Sequence, residues 1–98
     1  MGGATLFEKI VADEIPCHRV AEGENWLAFL DISPRSPGHT LVIPKQGIQH
    51  LADLSTHHRN ELFDGVCQVE SLLSAHFNTT DFTICIHDGP LAGQEVPH

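Results

Sequence analysis

One stretch of this chain is long enough to make a substantial helix, and it limits the architecture more than any other feature. After Ser55, apolar side chains recur at Leu62, Val66, Val69 and Leu73, with His76 continuing the series, and Phe63 and Leu72 widen the stripe. Steps of three and four place these residues on one helical face. Such a face has to be buried against another layer. The segments before it read as short strands separated by turn residues. The patterning predicts strands over 18–21, 25–32 and 39–44, with a Glu22-Gly23-Glu24 turn between the first two. The loop Ser33-Pro34-Arg35-Ser36-Pro37-Gly38 is stiffened by its prolines, and the run Leu41-Val42-Ile43 reads as a buried strand. Beyond the helix, Phe82, Ile84 and Ile86 alternate with Thr83, Cys85 and His87, which predicts a fourth strand over 81–87. A further strand is expected to begin at Val96-Pro97-His98, where the sequence ends.

The N-terminal segment supplies a second, shorter helix. Thr5-Leu6-Phe7-Glu8 has the spacing of a capping box, in which the Thr hydroxyl and the Glu carboxylate each satisfy a backbone N–H. The helix carries Leu6, Phe7, Ile10 and Val11 and is expected to stop near Ile15-Pro16. The expectation is an α+β fold: an antiparallel sheet of about five strands with one long and one short helix. Its 98 residues permit a single domain over 1–98.

Charge narrows the partners. The net charge is −8, with five Lys and Arg residues in all, which argues against a nucleic-acid backbone as ligand. It leaves room for one small anion held by backbone N–H groups and a few side chains. No apolar run approaches the roughly 20 residues of a membrane helix, so no membrane partner is expected. Met1-Gly2-Gly3-Ala4-Thr5-Leu6 lacks the stretches of a signal peptide, and Leu6 stands where myristoylation wants Ser or Thr. Cys17, Cys67 and Cys85 form no C-x-x-C pair and are expected to be reduced thiols in a cytoplasmic protein.

Eight histidines make a metal centre the obvious question. A site built on them needs at least three ligands converging at about 2.0–2.1 Å. No H-x-x-x-H or H-E-x-x-H pattern occurs, His50 and His76 have no partner at ligand spacing, and His57-His58 reads as a solvated pair. No metal or other cofactor is expected.

Two segments carry more information by their order. Pro37-Gly38-His39-Thr40-Leu41-Val42-Ile43-Pro44-Lys45 puts a glycine turn and a histidine at the mouth of a buried strand. Later comes Asp88-Gly89-Pro90-Leu91-Ala92-Gly93-Gln94-Glu95-Val96-Pro97-His98. With Phe7-Glu8-Lys9-Ile10 upstream and Leu30-Asp31-Ile32-Ser33-Pro34 between, the chain from Leu6 to His98 resembles the histidine triad (HIT) family.

In that family the last segment continues as His-h-His-h-His-h-h, h being apolar. On a strand, alternate residues share one face, so three imidazoles line a pocket while the apolar residues enter the core. The resemblance implies a hydrolase or transferase acting on a purine nucleotide. The middle histidine attacks the α-phosphorus, expels the leaving group and gives a nucleotidyl-histidine that water hydrolyses. By position His98 matches the first triad histidine, which is not the nucleophile; the nucleophile would lie beyond residue 98. The resemblance thus implies a domain that is incomplete at its C-terminus, and for these residues alone a non-catalytic nucleotide-binding or scaffolding module is the alternative.

The other roles follow position by position. Asp31 matches the carboxylate that accepts from the ribose hydroxyls; read locally it is also a turn residue capping the Ser33-Pro34 loop. Phe7, Ile10, Phe29 and Ile32 match the apolar wall around the base. Gly93, Gln94 and Val96 match the loop that presents backbone N–H groups to the α-phosphate, where Gly93 allows close approach. Gln94 also counts with the catalytic group, and His39 matches a histidine just behind the triad. His87 stands where Asn or Gln often lies beside the phosphate. The family's usual homodimer is implied as well.

Two departures bear on chemistry. Some bacterial members hold a structural zinc with a Cys-x-x-Cys pair and two histidines; here those positions are Thr5, Glu8 and Gly47, and His98 alone remains. The Ser or Thr that commonly follows Gly-Gln is Glu95, whose carboxylate suits an amine leaving group better than a phosphate. The front half resembles the nucleoside phosphoramidate hydrolase branch, whereas Asp88-Gly89-Pro90 and Ala92-Gly93-Gln94 also resemble the dinucleoside polyphosphate hydrolase branch.

Overall fold

The first helix forms where the capping box places it. In the computed structural model, which describes residues 5–32, 34–94 and 96, α1 spans Leu6–Val11. Thr5 caps it: the Glu8 N–H donates to Thr5 Oγ1 at 3.0 Å and the Thr5 N–H to Glu8 Oε1 at 3.2 Å. The helix ends earlier than the proline rule alone suggests. Asp13 takes a left-handed φ of 62° and closes the turn through its N–H to the Ile10 carbonyl. An aspartate adopts that region more readily than most residues.

Three antiparallel strands follow, β1 (Arg19–Glu22), β2 (Trp26–Leu30) and β3 (Thr40–Pro44), in spatial order β1-β2-β3. The register sets Phe29 opposite Arg19 and Leu41, and Trp26 opposite Pro44. A one-turn 3-10 helix η1 (Leu51–Asp53) leads into α2 (Thr56–Phe77), which Ser55 caps by accepting from the His58 N–H at 3.1 Å. A second 3-10 turn, η2 (Pro90–Ala92), sits in the C-terminal loop. No described helix is long and apolar enough to cross a membrane.

The central strand explains why the sheet carries a helix on each face. Along β2, Leu27 and Phe29 join Ile10 of α1 and Ile43 in one buried cluster. The alternate residues Trp26 and Ala28 join Val69 of α2 in another. All four are buried, so β2 is apolar on both faces rather than alternating. Trp26 is held between glycines: a Cβ on Gly65 of α2 would lie 2.5 Å from its ring, and one on Gly23 closer still. At the other end of α2 the Phe77 ring would meet a Cβ on Gly38 at 2.5 Å.

The α+β class stands, but the described sheet has three strands, not about five. The segment 81–87, expected to be a strand, is in no ladder among the described residues. Its alternation is real, yet Ile84 and Ile86 stay more than half exposed. Period-two patterning marks which residues would share a face, whereas a strand also needs a hydrogen-bonded neighbour. The edge of β3 is not paired with this segment. Of the strand expected from Val96, Pro97 and His98 lie outside the described residues.

Candidate functional site

Away from β2, where no described strand pairs with it, β3 borders a cleft of about 1420 Å³ to which all five β3 residues contribute, together with Leu62, Val66, Val69 and Leu73 of α2. Pockets for drug-sized ligands run to about 300–1000 Å³, so a single nucleotide would fill only part of it. One end is apolar. Phe7 meets Phe29 edge to face with ring centroids 5.7 Å apart, and Ile10 is buried beside them. Ile32 lies at the rim and is 90% exposed, so it offers surface that a ligand would cover.

Asp31 follows directly on β2 and stays in register with the start of β3, its N–H donating to the His39 carbonyl at 2.9 Å. This brings the two side chains together: His39 Nδ1 lies 3.5 Å from Asp31 Oδ2, both half-buried. The contact is not a simple ion pair. His39 Nδ1 accepts from the Arg35 N–H at 3.2 Å, so the proton of the neutral ring is on Nε2 and Nδ1 has none to give the carboxylate. Pro37-Gly38 makes this geometry through the left-handed Gly38, φ 82°, pressed against Phe77.

His87, Asp88, Gly93, Gln94 and Val96 also line the cleft. Gly89 and Gly93 both have positive φ, 97° and 95°, which favours glycine at each. The His87 ring is exposed, and it is 3.5 Å from where a Gly93 Cβ would sit. Gln94 Nε2 donates to the Gln49 carbonyl at 2.8 Å, which fixes the carboxamide, since the flipped group would set oxygen against oxygen. Gln94 Oε1 is then a buried acceptor with no partner among the described residues. Leaving such an atom unmet costs about 1–3 kcal/mol.

One expectation needs amending. The Gly93 and Gln94 N–H groups do not stand open for a phosphate. They donate within the loop, to the carbonyls of Pro90 at 3.1 Å and Gly89 at 3.2 Å. The first is a 3-10 bond and the second the closure made by the left-handed Gly93, and the residue names do not reveal either. A phosphate would have to share these donors or displace their partners.

Phe7, Ile10, Phe29, Asp31, Ile32, His39, His87, Gly93, Gln94 and Val96 all line the one cleft. His98 and Glu95 lie outside the described residues. The three positions compared with zinc ligands also converge in part. Glu8 is engaged in the capping box, and a Cβ on Gly47 would lie 2.6 Å from its carboxylate. Among the described residues no group of three metal-ligating side chains gathers.

Residue-by-residue reading missed the partner of His50. Its Nδ1 lies 2.8 Å from Asp88 Oδ1, joining the loop before α2 to the C-terminal loop. No spacing rule signals it, because the two residues meet only through the fold. His57 and His58 are not merely solvated either: His57 Nε2 is 3.0 Å from Glu61 Oε1, and His58 Nδ1 is 3.0 Å from Gln46 Oε1.

Comparison with known proteins bears on the family and the fold. The HIT domain model matches residues 12–98. An uncharacterized HIT-like protein of Synechococcus elongatus is 37% identical over 98 residues, covering 100% of this chain and 86% of that protein. A bis(5'-nucleosyl)-tetraphosphatase (asymmetrical) of Schizosaccharomyces pombe is 39% identical over 71 residues, 72% of this chain and 39% of its own length. The crystal structure of a HIT family protein from Bacillus anthracis superposes with a TM-score of 0.92 at 38% identity, covering 100% of this chain and 70% of that one.

Proposed function

The chain belongs to the family of HIT-domain proteins, and on that premise we propose that it binds a purine nucleotide beside β3 as part of a hydrolase or transferase acting at the α-phosphate. What supports the proposal, beside the family, is local geometry: Phe7 meets Phe29 with Ile10 packed beside them, and Asp31 lies next to His39 at the start of β3. An apolar wall at Phe7, Ile10 and Phe29 suits a base, the Asp31 carboxylate suits a vicinal diol, and His87 with the Gly93-Gln94 loop is assigned the phosphate end by the family motif.

The reaction runs in two displacements. An imidazole nitrogen attacks the α-phosphorus, and the bond to the leaving group breaks with its electron pair, the leaving group taking up a proton. Water then attacks the same phosphorus, the phosphorus–imidazole bond breaks, and the neutral ring is regenerated. In this proposal His98 is the first histidine of the triad and the nucleophile is the second, two positions further along the family's motif. The proposal carries with it one HIT domain that includes residues 1–98, a homodimer and a cytoplasmic setting.

The test uses Asp31→Ala. Against AMP the variant should lose about 1–3 kcal/mol of binding, the worth of hydrogen bonds to a charged group. Against the dideoxyribose analogue, which lacks both hydroxyls, it should lose almost nothing. Titration calorimetry on the two ligands separates the cases: equal losses would make Asp31 a turn residue. Nucleotide binding without product release, from phosphoramidate and dinucleotide alike, leaves the non-catalytic module as the reading.

A further inference from the structure

Two segments that line the cleft are strapped together. Asp88 reaches back to the residues that open η1: its Oδ1 lies 2.8 Å from His50 Nδ1, and its Oδ2 accepts from the Leu51 N–H at 3.3 Å. A carboxylate can only accept, so the His50 nitrogen facing it bears a proton. Beside this pair, Gln94 Nε2 donates to the Gln49 carbonyl at 2.8 Å. Gly89 is buried, and a Cβ there would lie 3.2 Å from His50 Cε1. Gly89 is also the anchor of the loop, since its carbonyl accepts from both the Ala92 and Gln94 N–H groups. His50 thus packs on the residue from which the whole 89–94 turn is hung.

We infer that His50 and Asp88 are positioning residues, which hold the loop bearing His87, Gly93 and Gln94 at the phosphate end of the ligand and so govern recognition of the phosphate rather than of the nucleoside. The inference rests on the nucleotide reading above. The pair acts through the loop it holds and not by contact with the ligand. Breaking it lets the 88–94 loop leave Gln49 and Leu51, and phosphate contacts weaken while the base wall at Phe7 and Phe29 and the carboxylate of Asp31 stay in place.

Electrostatics alone gives the opposite expectation for one variant, which makes the test sharp. Removing the Asp88 charge near a phosphate should tighten AMP binding if the carboxylate only repels. If it positions the loop, Asp88→Ala weakens AMP on the order of tenfold, the range of one charge-assisted hydrogen bond. Adenosine, which has no phosphate, should bind both proteins equally. His50→Ala should behave as Asp88→Ala does. His50→Asn keeps an N–H donor without an ionisable ring and should restore most of the AMP affinity, which excludes a mere loss of positive charge.

Calorimetry with AMP and adenosine on wild type and the three variants reads these outcomes. Hydrogen exchange at the Ala92, Gly93 and Gln94 amides, compared with those of α2, reports the loop without any ligand. Faster loop exchange in both alanine variants, an AMP-selective loss and rescue by Asn support the inference. Tighter AMP binding by Asp88→Ala, equal losses of AMP and adenosine, or unchanged loop exchange overturns it while leaving the nucleotide site intact. A wild type that binds neither ligand removes the nucleotide reading and this inference with it.

Discussion

Glu22 lies between two cations. Lys45 Nζ is 2.6 Å from its Oε2 and Arg19 NH1 is 2.7 Å from its Oε1. The hydrogen bond from Lys45, aided by the charges of Lys45 and Arg19 against a burial cost, holds the Glu22 carboxyl below the usual carboxylate range. A pKa lower in the folded than in the unfolded chain stabilises the fold above the unfolded value, and that contribution disappears as pH falls through the folded value. Glu22→Gln should therefore lower stability at neutral pH by about 0.2–1 kcal/mol, the worth of an exposed pair. Thermal unfolding across pH should show the two proteins converging in acid; a gap that persists there would mean that Glu22 acts through packing. The residue scale is also where sequence reading stopped short for His50, because Asp88 faces it only after two loops have come together.

Within α2, local and tertiary preferences disagree at Gly65. A helix-interior glycine costs about 0.5–1 kcal/mol relative to alanine, so propensity alone recommends Gly65→Ala. Packing forbids it: the added Cβ would lie 2.5 Å from the ring of Trp26, which is itself wedged against Gly23. Overpacking of this sort typically costs about 1–3 kcal/mol, so the variant should melt lower despite its better helix former. Trp26 is the only tryptophan, and its emission should shift to longer wavelength if the ring is pushed toward water. A variant that melts higher would show that the ring can move aside without cost. Elements were otherwise well marked locally. The capping box placed α1 and Ser55 the start of α2, each through bonds among near neighbours, and the apolar run Leu41-Val42-Ile43 marked β3.

For the molecule as a whole, the open side of the sheet matters most. β3 has β2 on one side and the cleft along the other. The alternating segment beyond α2 crosses that region without joining it, and apart from the Asp81 N–H on Thr79 Oγ1 it makes no hydrogen bond of its own among the described residues. Its amides at 82–87 should accordingly exchange with solvent close to the rate of an unstructured chain, whereas those of β2, bonded on both sides, should exchange orders of magnitude more slowly. Protection at 82–87 matching that of β2 would mean that this segment is paired in solution.

Local chemistry decided much before any tertiary contact formed. The period of the apolar residues set α2 and its buried stripe, Thr5 and Glu8 set the first helix, and Gly38, Gly89 and Gly93 admit backbone angles that other residues rarely take. Motif order from Phe7 to His98 also marked the chain as a HIT domain. The fold alone decided the rest. The alternation over 81–87 could not become a strand without a neighbour to bond, because period-two patterning specifies faces and not partners. The Gly93 N–H turned inward because a 3-10 turn bonds three residues back, and the Gln94 N–H because the left-handed Gly93 wraps it onto the Gly89 carbonyl. Asp31 met His39, and His50 met Asp88, only when separate loops were brought within hydrogen-bonding reach, a distance that sequence separation does not encode.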